Sequence, residues 1–285
     1  FLEPVIAIAI EPRQNRDLEK MHDCLAKLAD EDPTVRVKED ENTGQTLLAG
    51  MGELHLEVLV DRLKTEYNVE VNTGNPSVVF RETVRGSAST DEAFEQVIDE
   101  EKKQRVYARV TARVHANARN AGNTFVDRRS DASKAAHPLS SEVLREIERG
   151  CFDALEAGPI DGFAVQDVAM ELVDVDTRPG ESTPIALRVA AGNAIRAGLK
   201  GAQPAILAPL MSLEVVVPES MTGPVVGDLS ARSARIEGVE TEGVRSVIRA
   251  LAPMTAMFGY STKLRGLTEG RGTFSMRFSR YDVLD

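Results

Sequence analysis

The sequence is poor in the residues that build metal and disulfide sites: it has no tryptophan, two cysteines and four histidines. Cys24 and Cys151 stand in separate helical patterns without metal-ligand spacing, which argues against a disulfide framework and favours a reducing compartment. No hydrophobic run reaches the roughly 18 to 20 residues that cross a bilayer, and we expect no signal peptide. We therefore predict a cytoplasmic protein without membrane association. Because the chain begins at Phe1 and enters a strand pattern almost at once, we also expect that a preceding portion has been removed.

The sequence also lacks a nucleotide-binding loop. No G-x-x-x-x-G-K-[ST] motif is present, so we expect neither a P-loop nor GTP hydrolysis by this piece. The glycine-rich run at 265–272 resembles a phosphate loop superficially, but it follows a predicted helix and precedes a predicted strand. Phosphate loops run from strand to helix, and a turn is therefore the favoured interpretation.

Candidate acids, bases and metal ligands do not combine into a catalytic set. The histidines lack a Cys, Asp or Glu partner at ligand spacing, so we predict no metal site. Glu53 and His55 lie two positions apart on a predicted helix and do not face each other, which favours capping or packing over acid–base chemistry. Asp174 and Asp176 share one face of a predicted strand, and a solvated strand end is favoured over a catalytic pair. The histidines are His22, His55, His115 and His137.

What the sequence does contain is an ordinary share of hydrophobic and charged residues, 42% and 28% of 285 positions, with a net charge of −11. That composition is typical of a folded globular protein, and the length suggests two or three domains. Lys and Arg number 8 against 16 Asp and Glu in residues 1–76, 17 against 20 in 77–203, and 9 against 9 in 204–285. Residues 102–134 carry nine basic residues and two acidic ones, a local cationic excess.

Hydrophobic periodicity predicts an α+β protein of three modules, spanning residues 1–76, 77–203 and 204–285. The first and last modules each have the order βαββαβ, which fits a ferredoxin-like split βαβ sandwich. The middle module is predicted as a separate α+β domain. Pro76 and Pro204 mark the junctions, because the residue before a proline is driven out of the helical conformation.

Three details of this prediction are specific enough to check. In the middle module we predict an irregular acidic stretch up to about residue 101, followed by a long strand at 105–115. In the last module Pro224 is expected to interrupt a helix. The second helix of that module is expected to carry Met254 and Met257.

The predicted long strand of the middle module has a cationic side and an apolar side. Arg105, Arg109 and Arg113 alternate with valine and alanine, so the two sets fall on opposite faces. One interpretation is a solvated sheet face with acidic neighbours. The other is contact with RNA phosphate, where rows of Arg and Lys gain affinity by releasing counterions. Both interpretations remain open at this point.

Three groups of motifs point to one family. They are E-P-V-I (3–6) with G-M-G-E-L-H-L-E (50–57), F-R-E-T (80–83), and G-D-L (227–229) with M-F-G-Y (257–260) and G-R-G (270–272). Together they resemble the C-terminal half of bacterial elongation factor G, the ribosomal translocase. The resemblance covers almost the whole chain and corresponds to the third, fourth and fifth domains of that family, without its GTPase domain and second domain.

The resemblance implies a ribosome-docking arm of a GTP-dependent translation factor that promotes movement of tRNA and mRNA. It implies rRNA, ribosomal proteins, the tRNA–mRNA complex and the absent GTPase domain as partners, GTP and Mg only in that absent domain, and a monomer. The predicted RNA or ribosome contacts are Lys102, Lys103, Arg105, Arg109, Arg113, Arg128, Arg129, Lys134, Arg265 and Arg271. The residues predicted to couple the modules are Glu53, His55, Arg81 and Glu82.

The middle module departs from the family at both tip loops. Residues 99–105 (D-E-E-K-K-Q-R) stand where the family has Gly-Gly-x-Gly-Gln-Tyr, and residues 130–138 replace a second glycine-containing loop. Glycine permits close approach of the backbone to RNA, so we expect the altered tip to fit a tight decoding site less well. The alternatives are therefore a divergent paralogue acting in ribosome recycling, rescue or antibiotic protection, and a protein-interaction module that binds no RNA.

Overall fold

The computed structural model describes residues 3–40, 43–101 and 104–284, in which there are fourteen β-strands and seven α-helices. Contacts between Cα atoms divide the chain into two compact units. The first unit comprises Phe1–Val79 and Ala208–Arg280, and the second comprises Phe80–Leu207 and Tyr281–Asp285. None of the described helices is both long and apolar enough to cross a membrane.

The first repeat of the first unit has the predicted order βαββαβ. Its elements are β1 (Ile6–Pro12), α1 (Leu18–Glu31), β2 (Arg36–Glu39), β3 (Thr46–Gly50), α2 (Glu53–Thr65) and β4 (Val71–Thr73), followed by a short β5 (Ser77–Val78) that pairs with β1. The sheet order β2-β3-β1-β4 with antiparallel pairing is that of a ferredoxin-like fold. Apolar residues at helical spacing, such as Met21, Leu25 and Leu28 of α1, are fully buried.

The second unit carries a four-stranded sheet with two long helices. Its elements are β6 (Arg81–Val84), β7 (Ser87–Asp99), β8 (Gln104–Ala116), β9 (Thr124–Asp127), α3 (Asp131–Ala136), α4 (Ser141–Asp153), β10 (Val168–Asp176) and α5 (Pro184–Gly201). The strands lie in the order β7-β8-β10-β9, with β9 and β10 parallel and the other pairs antiparallel. The predicted strand at 105–115 corresponds to β8 within one residue at each end.

The predicted irregular acidic stretch is wrong, because most of it forms the regular 13-residue strand β7. Asp and Glu are disfavoured in strands, so the composition of this segment by itself does not indicate a strand. Continuous pairing with β8 from Ser87 to Val97, together with packing of Phe94 against the core, overrides this preference.

Helix α5 lies close on the apolar face of this sheet. Thr183 caps its first turn, since the hydroxyl oxygen accepts the N–H of Ala186 at 3.1 Å, and Pro184 occupies the first position. A Cβ added to Gly198 would lie 2.7 Å from Cγ2 of Val114 on β8. Small residues on this helix therefore set the distance to the sheet and leave the opposite sheet face for polar residues.

The last repeat again follows the order βαββαβ. Its elements are β11 (Pro204–Pro218), α6 (Thr222–Ala231), β12 (Arg235–Glu242), β13 (Arg245–Pro253), α7 (Tyr260–Thr268) and β14 (Thr273–Val283), with sheet order β12-β13-β11-β14. Two details of the prediction are wrong. Pro224 lies in the first turn of α6, where its missing N–H costs no helical hydrogen bond. Met254 and Met257 precede α7 and are buried around a single 3-10 turn.

Candidate nucleic-acid interface

The outer face of the four-stranded sheet carries the arginines that the sequence singled out. Ala108, Val110, Ala112 and Val114 of β8 are buried beneath the helices, as predicted from the alternation. Arg105, Arg109 and Arg113 project from the other face and are each about half exposed, at 55%, 49% and 50% of the side chain. The division of β8 into an apolar and a cationic side is confirmed.

Each arginine of this row faces a carboxylate on a neighbouring strand. Arg109 donates through Nε to Oδ1 of Asp91 on β7 at 2.7 Å and through its second nitrogen to the other oxygen. The closest nitrogen of Arg105 lies 4.0 Å from Glu95 on β7, and that of Arg113 lies 3.9 Å from Glu171 on β10. The hydrogen bond from Arg109 holds the pKa of Asp91 below its usual value.

Glu171 is a shared partner for three basic side chains. Its oxygens lie 3.9 Å from Arg113, 3.6 Å from His115 and 3.9 Å from Arg128. Carboxylates from strands outside residues 102–134 therefore offset part of the cationic excess of that segment. Basic and acidic side chains therefore alternate on this face as ion pairs. This arrangement supports the interpretation of a solvated sheet face with acidic neighbours more than that of a purely cationic row.

Tyr107 occupies the centre of a second polar group on the same face. The guanidinium of Arg178 lies 3.5 Å from the centroid of its ring, and its hydroxyl donates to Asp176 at 2.8 Å. Burial, reinforced by the hydrogen bond to Asp176, raises the pKa of Tyr107. Asp174 accepts a hydrogen bond from the hydroxyl of Ser133. Asp174 and Asp176 thus have separate structural partners and are not merely a solvated strand end.

Arg128 and Arg129 were both predicted as RNA contacts, but their side chains differ in solvent exposure. Arg128 is 66% exposed, whereas the side chain of Arg129 is only 4% exposed. Arg129 donates to Asp127 through Nη2 at 3.0 Å and Nε at 3.1 Å, and through Nη1 to the carbonyl oxygen of His137 at 2.9 Å. The prediction of Arg129 as an RNA contact is wrong, because its guanidinium is buried and fully engaged in organising the segment around α3.

The remaining predicted contacts are scattered. Lys102 and Lys103 lie outside the described residues. Lys134 is exposed on α3 of the second unit. Arg265 on α7 and Arg271 in the following turn are exposed in the first unit, and Arg271 lies 3.2 Å from Glu269. Exposure permits contact with a partner for these three, and their role stays a prediction.

The residues predicted to couple the modules make local contacts, and two of them, Arg81 and Glu82, also pair with residues of the last predicted module through β6 and β11. Glu82 is fully buried, and its carboxylate accepts the backbone N–H groups of Ile160 at 2.9 Å, Asp161 at 2.8 Å and Phe163 at 3.2 Å. Its carboxylate organises a loop within residues 77–203, while its backbone lies opposite Ile206 where β6 pairs with β11. The coupling role of Glu82 stays a prediction.

Arg81 lies with its guanidinium 5.7 Å from the ring centroid of Tyr281, a residue of the last predicted module that belongs to the same compact unit. The coupling role of Arg81 stays a prediction. Burial raises the pKa of Glu53 in α2, and the neighbouring charge of Glu57 adds to that effect. His55 bonds to Met51 and Asp32, the packing role that was favoured over acid–base chemistry.

Sequence reasoning missed the carboxylates that neutralise the arginine row. Asp91 and Glu95 stand four positions apart and therefore share a face of β7, a signal that the sequence offers only once β7 is recognised as a strand. Glu171 gave no local signal, because its partners come from two other parts of the chain, β8 and the segment after β9. Across the described ranges, no group of three or more His, Cys, Asp or Glu is arranged to hold a metal ion.

Comparison with known proteins covers the chain from end to end. Family models described as elongation factor G domain III, domain IV and C-terminus match residues 1–75, 76–203 and 205–285. A crystal structure of a protein from Thermus thermophilus is similar to all of this chain, with 30% sequence identity and a TM-score of 0.75. The match covers 41% of that protein, so this chain spans less than half of its length.

Proposed function

The chain belongs to the elongation factor G family, and from that premise we propose that it is the ribosome-docking arm of a GTP-dependent translation factor that moves tRNA and mRNA. The observation that carries this proposal is the consecutive match of three family models over the whole chain, in the order in which the family's domains follow one another. The assembly of three α+β folds agrees with it.

Such an arm acts by shape and by many modest contacts. Contacts to phosphate and sugar position a protein on RNA, and exposed lysines and arginines supply them. Four of the predicted contacts are exposed and lie outside the arginine row of β8: Lys134, Arg265, Arg271 and Arg128. GTP and Mg would bind to a GTPase portion outside this chain, and the partners would be rRNA, ribosomal proteins and the tRNA–mRNA complex in the cytoplasm.

Cosedimentation with ribosomes at increasing salt tests the docking proposal. We expect the logarithm of the association constant to fall steeply with the logarithm of the salt concentration, because each phosphate contact releases counterions. Changing Lys134, Arg265 and Arg271 together to alanine should reduce that slope by about one for each phosphate that is no longer neutralised. The matched control is Arg196→Ala, an exposed arginine on α5 outside the predicted set. A weak salt dependence of the unmodified chain, or an unchanged slope in the triple variant, contradicts the proposal.

The second candidate is a protein-contacting arm in a factor that does not translocate. The neutralised sheet face favours it, since paired arginines attract phosphate less strongly than a bare cationic row. Messenger movement on programmed ribosomes, driven by the full-length factor, separates the two. Movement supports translocation, and binding without movement supports recycling, rescue or antibiotic protection.

A further inference from the structure

The edge of the four-stranded sheet formed by β7 has unusual properties for an exposed edge. This strand is 13 residues long and pairs with β8 on one side, and no described strand lies on its other side. Long exposed edges are pairing surfaces for other chains, and proteins normally shorten, cover or break them. The alternate residues Asp91, Ala93 and Glu95 are exposed along it.

The pairing register shows which backbone groups face this edge. The N–H of Ala116 donates to the carbonyl oxygen of Gly86 at 3.1 Å, so these two residues form a hydrogen-bonded pair. Hydrogen-bonded and non-hydrogen-bonded pairs alternate along an antiparallel ladder, and the register is continuous from Ser87 to Val97. The residues that direct their N–H and C=O groups away from β8 are therefore Ser87, Ser89, Asp91, Ala93, Glu95 and Val97.

One contact on the far side of β8 supports this assignment independently. Tyr107 is the partner of Glu95, and its N–H donates to the carbonyl oxygen of Glu181 at 3.1 Å, away from β7. Tyr107 and Glu95 are thus a non-hydrogen-bonded pair, as the alternation requires.

The charged residues of β7 are all acidic, although Asp91 is bonded to Arg109 and Glu95 lies 3.7 Å from Arg178. Residues 87–101 contain six acidic residues and no lysine or arginine. The basic residues of the β7–β8 hairpin lie on β8, the strand next to β7 in the interior of the sheet. A strand added at the edge would therefore have Asp91 and Glu95 as its direct cross-strand neighbours, and opposite charges at such positions stabilise pairing.

We propose that the outer edge of β7 binds an extended, arginine- or lysine-rich protein segment by adding it to the sheet as a fifth strand. Strand β8 is the internal precedent, because it pairs with the other side of β7 and carries Arg105 and Arg109 next to Glu95 and Asp91. A partner with basic residues at alternate positions repeats this arrangement on the opposite side. Its backbone groups satisfy the edge N–H and C=O groups, which is the general mode of β-strand addition.

Two other occupants fit less well. A second copy of this chain would place the acidic edge against itself, and like charges directly opposite each other disfavour pairing. RNA would bring phosphates to the carboxylates and has no peptide groups to continue the ladder. The proposal concerns the backbone edge of β7, whereas the docking test changes Lys134, Arg265 and Arg271, which lie on other elements, so either proposal can fail without the other.

Binding of a synthetic peptide that alternates arginine and valine to the 285-residue chain provides the first test. We expect hydrogen exchange of the Ala93 and Glu95 amides to slow when the peptide binds. The Phe94 amide, which points toward β8, should change little. A peptide with glutamate in place of arginine is the control and should not bind. Absence of binding by the arginine peptide, or protection confined to other residues, overturns the proposal.

Substitutions at the edge provide the second test. Ala93→Pro removes an edge N–H without removing a bond to β8, and we expect it to weaken peptide binding at least about tenfold, whereas Ala93→Val keeps the N–H and should bind normally. Glu95→Arg should shift preference toward the glutamate peptide, which keeps the proposal testable if the proline variant fails to fold. The proposal is overturned if the folded proline variant binds the peptide with equal affinity, or if the Glu95→Arg variant keeps its preference for the arginine peptide. It is also overturned if single-stranded RNA competes for the same amides, or if the chain self-associates through β7.

Discussion

His55, near the start of α2, contacts the C-terminal end of α1: its Nε2 lies 3.0 Å from Oδ2 of Asp32, the C-cap residue that follows α1. Its Nδ1 accepts the backbone N–H of Met51, just before α2, at 3.1 Å. With Nδ1 accepting, Nε2 carries the proton and donates to the carboxylate. Asp32 also accepts from the hydroxyl of Thr34 at 2.6 Å and its N–H at 2.8 Å, and these bonds, with a contribution from His55, lower the pKa of Asp32.

We expect His55→Ala to lower the free energy of unfolding by about 1–3 kcal/mol, because it leaves the Met51 N–H and the Asp32 carboxylate without this partner. His55→Asn should lie between the alanine variant and the wild type, since the amide oxygen replaces the Nδ1 acceptor but does not reach Asp32. Urea unfolding followed by circular dichroism measures this, as the chain has no tryptophan for fluorescence. Equal stability of all three proteins would show that the contact contributes nothing.

Glu82→Gln should destabilise the second unit by about 2–3 kcal/mol, because an amide nitrogen would face backbone N–H donors that now meet a carboxylate oxygen. Gly158→Ala should act similarly, since a Cβ there would collide with the Glu82 carboxylate. Limited proteolysis of the loop at 158–163 and urea unfolding report the change. Glu156→Gln is the control on the exposed surface, and an equal effect of the two glutamine variants would refute the organising role of Glu82.

Arg128→Ala and Arg129→Ala form a matched pair of neighbouring substitutions. Loss of Arg129 leaves Asp127 half-buried without its partner and should cost about 3–5 kcal/mol of stability. Loss of the exposed Arg128 should change stability by no more than about 0.5 kcal/mol. Thermal unfolding distinguishes them, and the reverse order would contradict the burial seen in the structure.

The Asp127–Arg129 pair should also affect how the free energy of unfolding depends on pH in acidic solution. Burial raises the pKa of Asp127, but the hydrogen bonds and charge of Arg129 outweigh burial and hold the pKa below its usual value. A lowered carboxylate pKa contributes stability that is complete above the unfolded-state value of about 3.9 and is lost as the pH falls through the folded-state value.

The stability difference between wild type and Asp127→Asn should therefore be constant above about pH 5 and should shrink in more acidic solution. Urea unfolding between neutral and acidic pH measures it. A difference that grows on acidification would mean that the pKa of Asp127 is raised.

Tyr260→Phe should leave the free energy of unfolding unchanged or raise it by up to about 1–3 kcal/mol. The side chain is buried, and its hydroxyl has no hydrogen-bond partner among the residues described. Burial, together with the charge of Asp228, raises the pKa of Tyr260 to about 12. Removing an unsatisfied buried hydroxyl recovers its desolvation cost, which is about 1–3 kcal/mol. Clear destabilisation of the phenylalanine variant in urea unfolding would show that the hydroxyl has a partner.

Sequence periodicity was reliable where burial is one-sided and the pairing is local. The two βαββαβ repeats follow from alternation in the strands and from helical spacing in segments such as α1. Periodicity failed for β7, because its acidic residues do not indicate a strand in the sequence and form one only by pairing with β8. It also failed at Pro224, because a proline in the first turn of a helix does not interrupt the helix, whereas a proline in its interior does.

The amino-acid sequence by itself determined the modular order, the apolar and cationic sides of β8, and the family motifs, because each depends on spacing within one segment. Only the tertiary structure decided what the charges do. Arg129 turned inward onto Asp127, Glu82 became the acceptor for a loop nearly eighty residues away, and Asp91 and Glu171 neutralised the arginine row. These outcomes depend on which strands become neighbours, and the energy of a charge is set by what surrounds it in space.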